Sequence, residues 1–158
     1  MTANYVHSYR WFQFVAEKSS SHFRSLVLFM IENWVGTYTD LFLIRLEQIL
    51  LIDNIEQLLS MKDIRNIHSI LLENIPNYYV FSLKYYQFVS ERLEVTDFED
   101  ILDHMIYNNN LHYEPILIRL EIIMRFKNID ELIFEEKKNY ILDEILAPIQ
   151  TELYATFS

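Results

Sequence analysis

The chain has no cysteine, one glycine (Gly36) and three prolines (Pro76, Pro115 and Pro148) among its 158 residues. The lack of cysteine excludes a disulfide framework, thiol catalysis and cysteine-ligated zinc. Sheet proteins spend glycine and proline on turns, so this scarcity points to helices joined by short connections. One glycine also leaves nothing from which to build a Gly-rich phosphate loop. The longest purely apolar run, Leu26–Ile31, is far too short to cross a bilayer. The opening MTANYVHSYRWF has no basic flank followed by an apolar stretch, so no secretory signal is expected. These absences together predict a cytoplasmic protein with no membrane association. Positive charge is scarce as well, with 13 Lys+Arg against 23 Asp+Glu and a net charge of −10. That balance argues against direct nucleic-acid binding. The deficit is uneven, at −2 over residues 1–75 and −8 over residues 76–158.

Apolar side chains are plentiful, with 51% hydrophobic and 15% aromatic residues, so the chain can bury a real core without staples. Their arrangement repeats. YVHSYRWFQFVAEK at 5–18 recurs as YVFSLKYYQFVSER at 79–92, with 7 of 14 positions identical. LIRLEQILLIDNIEQLL at 43–59 recurs as LIRLEIIMRFKNIDELI at 117–133, with 9 of 17 identical at the same 74-residue offset. Between them, 23–33 aligns with 98–108 after a one-residue shift, with 4 of 11 identical. Chance matching in a biased composition is roughly one in twelve. The reading is an all-α tandem duplication of a four-helix unit of ~74 residues, forming a bundle or short α-solenoid of about eight helices. Copy one spans 1–75, copy two spans 76–149, and 150–158 is a C-terminal helical tail.

In each copy the expected helices cover 4–18 and 77–93, 21–34 and 97–108, 38–51 and 113–126, with a fourth starting at Asn54 and at Asn128. Thr96-Asp97-Phe98-Glu99 has the form of a capping box, Ser21 sits at the matching place, and Asn54/Gln57 and Asn128/Glu131 carry similar start signals. Gly36 suits a turn, and Pro115 suits a first helical turn. Pro148 should kink or end the last helix. In the first helices, Arg10, Gln13 and Glu17, and again Lys84, Gln87 and Glu91, fall on one polar face. The third helices are apolar almost all round and are expected to be buried.

No catalytic, metal or cofactor motif stands out. Arg45-Leu46-Glu47 and Arg119-Leu120-Glu121 are shared charged residues in apolar helices and read as ion pairs to other helices. Asp100 with His104, and Glu99 with Asp103, have the i, i+4 spacing of metal ligands, but a solvated acidic face accounts for them better. The aromatics in YRWFQF and LKYYQFVSER fall at helical spacing and read as core.

The copies differ most in their second helices. FRSLVLFMIEN is apolar where FEDILDHMIYN is acidic, so Leu28 and Phe29 stand where Asp103 and His104 stand. An exposed apolar face there would suit a partner or self-association. Copy two also carries the cluster Glu91, Glu94, Asp97, Glu99, Asp100 and Asp103, suited to docking a basic protein. The leading expectation is a non-enzymatic protein-binding module, such as an inhibitor, an immunity or counter-defence factor, or an adaptor. It would use those acids and the Leu28/Phe29 patch, with a possible homo-oligomer through the latter. Two other classes compete: a helical sensor holding a small ligand or peptide between the repeats, and a metal-dependent enzyme. On the leading expectation, Leu28→Asp with Phe29→Asp abolishes association and leaves helicity intact, as measured by native mass and circular dichroism.

Overall fold

The computed structural model of the chain describes residues 6–34, 40–108 and 113–148. Among these, the regular structure is all helical. The chain divides into two compact units, Met1–Pro76 and Asn77–Ser158. The first holds α1 (Tyr9–Lys18), α2 (Ser20–Glu32), α3 (Asp40–Leu50), α4 (Ile55–Leu58) and α5 (Met61–Asn74). The second holds α6 (Leu83–Arg92), α7 (Val95–Asn108), α8 (Glu114–Ile123), α9 (Ile129–Leu132) and α10 (Glu135–Asn139), which runs on as a π-helical segment, Tyr140–Leu146.

Each unit is built on the face that its first helix buries. α1 begins at Ser8, whose extended backbone lets the hydroxyl accept from the Trp11 N–H at 3.2 Å. α6 begins in the same way at Ser82, accepting from the Tyr85 N–H at 3.3 Å. From α1 the chain buries Phe12, Val15 and Ala16. From α6 it buries Tyr85, Tyr86, Val89 and Ser90. α1 packs on α2 and α3, α2 on α4, and α3 on α5. In the second unit α6 packs on α7, α7 on α9, and α8 on the π-helical segment. Phe12 meets Phe23 of α2 edge-on with centroids 6.4 Å apart, while the Tyr86 hydroxyl donates to the Met105 sulfur of α7 at 3.4 Å.

Several sequence expectations need correcting. The fourth helix is two helices, because Leu59 and Ile133 adopt extended backbone immediately after α4 and α9. The start signals at Asn54 and Asn128 therefore open single turns, and neither side chain caps its own helix. Asn128 instead donates to the Ser90 carbonyl at 3.2 Å. The capping box of the first unit lies at Ser60 and Asp63, where the Asp63 N–H donates to Ser60 Oγ at 3.1 Å and the Ser60 N–H to Asp63 Oδ2 at 3.4 Å. α2 begins after Ser19 rather than at Ser21. α7 starts ahead of the expected Thr96, with the Glu94 N–H donating to Asp97 Oδ2 at 3.0 Å.

α3 and α8 are not buried all round. Leu41, Ile44 and Ile118 are exposed. Pro115 sits in the first turn of α8 as expected. Helical structure reaches Pro148, the last described residue, and the stretch before it takes the wider i→i+5 register; whether the helix ends there falls on residues outside those described. Gly36 and the 150–158 tail lie outside the described residues. Ser60→Ala should lower stability by about 1 kcal/mol in urea unfolding. Asn54→Ala should cost less than half of that, because its side chain makes no cap bond.

Candidate functional site

In both units an ion pair ties the second helix to the fifth, with its polarity reversed. In the first, Arg24 of α2 holds Asp63 of α5 through Nε at 2.7 Å and a second nitrogen at 3.3 Å. In the second, Lys137 of α10 pairs with Asp103 of α7 and lies 5.3 Å over the Tyr107 ring. Asp63 and Lys137 stand 74 residues apart, so the same place on the fifth helix carries opposite charge. The hydrogen bond from Arg24 holds the Asp63 carboxyl below its ordinary value, and the Ser60 hydroxyl and N–H add to this against the opposing effect of burial. Burial works to lower the Lys137 pKa. The Asp103 hydrogen bond and charge, with Tyr107, outweigh it and hold the ammonium above its ordinary value.

This arrangement divides the six candidate acids. Asp103 is committed to Lys137, and Asp97 accepts the bond that starts α7. Glu99 is half-buried, while Glu91, Glu94 and Asp100 are exposed. In the apolar pair, Phe29 is 58% exposed and Leu28 is half-buried, so Phe29 offers the larger accessible surface. The aromatic stretch of α1 departs from a pure core reading. Phe12 is buried, yet Trp11 and Phe14 stack on one another at 5.4 Å and are 43% and 50% exposed.

The remaining chemistry candidates take structural places. Arg119 donates to the carbonyls of Phe81 at 2.7 Å and Pro115 at 3.0 Å, fastening the segment before α6 to α8. Arg45 donates to Gln48 Oε1 at 2.6 Å, Glu47 is buried, and its counterpart Glu121 is exposed. Among the described residues no three His, Asp or Glu side chains converge as a metal-ligand set. Among the described residues, then, Asp100 and His104 belong to no set of three such ligands.

Sequence reasoning missed a cleft that occurs in each unit, between the first helix and the turn joining the third and fourth. In the first unit it has a volume of about 170 Å3, with Gln13 and Glu17 on the α1 wall and Leu51, Asp53 and Asn54 on the turn. In the second it measures about 490 Å3, with Gln87 and Glu91 on the α6 wall and Arg125, Lys127 and Asn128 on the turn. Every residue lining the second cleft stands 74 positions after a residue lining the first. The signal was present in the matched blocks: Gln, Glu and Asn are identical, and Lys127 stands where the first block has Asp53.

In comparison with known proteins, no family model, curated protein or solved structure matches the chain. No helix among the described residues is long and apolar enough to cross a membrane.

The depressed Asp63 pKa sets an acid limit. A carboxyl that is more acidic when folded contributes stability above its unfolded value, near 4, and loses that contribution as pH falls through its folded value. Asp63→Asn should lower the melting temperature at neutral pH and flatten its decline below about pH 4. Melting curves across the acid range check both effects.

Proposed function

We propose that the chain is a tandem duplication of one helical unit that acts as a non-enzymatic protein-binding module, docking a basic partner on the acidic side of its second unit. An inhibitor, an immunity or counter-defence factor, or an adaptor would each use it in this way. The repeated order of elements, the matching helix starts at Ser8 and Ser82, and clefts lined at a constant 74-residue offset support the duplication. A cysteine-free chain suits a reducing compartment such as the cytoplasm.

The observation that carries the binding reading is the group of exposed carboxylates around the α6–α7 connection, Glu91, Glu94 and Asp100. Lys137 and Lys138 are engaged by Asp103 and Asp130. An acidic surface of this kind attracts a cationic partner from a distance, raising the association rate more than it slows dissociation. The exposed Phe29, Trp11 and Phe14 in the first unit offer apolar contact area of the kind that interfaces use.

A basic protein captured from lysate at low salt supplies the test. Glu94→Lys with Asp100→Lys should lower its association rate about tenfold and flatten the salt dependence. Glu32→Lys with Glu73→Lys changes net charge equally in the first unit and should have a much smaller effect. Equal losses from the two pairs would mean that net charge alone attracts the partner, and the docking site would be withdrawn.

A further inference from the structure

The two clefts have the same polar framework and opposite electrostatics. In the first, both walls are acidic, with Glu17 on α1 facing the turn that carries Asp53. In the second, the α6 wall keeps its carboxylate, Glu91, but the turn presents Arg125 and Lys127. Charges of opposite sign thus line one concavity, and they do not neutralise one another. Arg125 turns back to Glu121 of α8, donating from Nε to its carbonyl at 3.4 Å and standing 3.9 Å from its carboxylate, between side chains that are 69% and 67% exposed, an ion pair worth little in water. Glu91 and Lys127 form no ion pair among the described residues. The floor between the walls is fixed: Asn128 donates to the Ser90 carbonyl at 3.2 Å, and the Ser90 hydroxyl to the Gln87 carbonyl at 2.7 Å. Half-buried Phe126, braced against Phe98 with centroids 6.4 Å apart, supplies an apolar surface beside the charges.

We infer that the cleft between α6 and the α8–α9 turn is a binding site for a small zwitterion, a free amino acid with an apolar side chain. Its carboxylate goes to Arg125 and Lys127, its ammonium to Glu91 and the Gln87 amide oxygen, and its side chain to Phe126. The volume of about 490 Å3 falls within the range of roughly 300–1,000 Å3 typical of small-molecule sites, whereas the 170 Å3 cleft of the first unit falls below it. A ligand with only one charge would leave one wall facing its own sign or no partner, which is the basis of the selectivity. This site shares Glu91 with the proposed docking surface, but Lys127 and Arg125 have no part in that reading, so Lys127→Asp tests the cleft separately.

The test titrates the full chain with L-leucine, L-methionine and L-phenylalanine at millimolar concentration and follows backbone amide shifts. Each amino acid is compared with its N-acetyl form, which keeps only the carboxylate, and its C-terminal amide, which keeps only the ammonium. At least one free amino acid should shift the amides of Gln87–Glu91 and Arg125–Asn128, with both capped forms about tenfold weaker. Lys127→Asp, which installs the residue found at Asp53, should remove the shifts and leave the rest of the spectrum unchanged, as should Glu91→Gln. No shift at these amides, equal binding of an N-acetyl form, or undiminished binding by Lys127→Asp would each overturn the assignment.

Discussion

Helices can approach one another closely only where their facing residues are small. This chain has a single glycine, and its cores are made of Phe12, Phe23, Phe42, Tyr85, Tyr86 and Phe98, all fully buried. Interdigitating side chains of this bulk hold the helices apart, so contact is good along the apolar stripe and poor at its polar edges. The clefts lie at one such edge, where the first helix carries Gln13 and Glu17, or Gln87 and Glu91, past the turn after the third helix. A hollow is left there, and the polar residues beside it determine what it can hold.

The two units solve the same packing problem with different charges. Arg24 with Asp63, and Asp103 with Lys137, fasten the second helix to the fifth in opposite polarity. The partner on the second helix has also moved by one turn, because Arg24 aligns with Glu99 and Leu28 with Asp103. Such a change keeps the attachment only if both residues of the pair alter together. The same logic explains why Asp103, which looks like a surface acid by composition, is half-buried and engaged.

Much of this was legible in the sequence. The scarcity of glycine and proline and the 3.6-residue spacing gave the all-helical class, and Arg10, Gln13, Glu17 and their counterparts lie on the exposed side as read. The split of the fourth helix was hidden because Leu58-Leu59 continues the apolar pattern through the break, and the Ser60/Asp63 box just beyond it went unread. The exposure of Leu41, Ile44 and Ile118 could not be read either, since an apolar residue does not record whether a neighbour covers it. The acidic cluster was visible as composition, but the engagement of Asp103 depends on Lys137 arriving from another helix. The clefts could have been found only by asking which identities between the matched blocks were polar.

Tandem units of similar sequence face a hazard during folding, since a helix of one can seat itself in the other. The swapped ion pairs bear on this. A fifth helix from the first unit placed on α7 would bring Asp63 against Asp103 and Glu99, and the fifth helix of the second placed on α2 would bring Lys137 against Arg24. Either error sets like charges together at a partly buried contact. The polarity of these two pairs therefore gives each unit an address, one that disfavours an exchange of fifth helices between them.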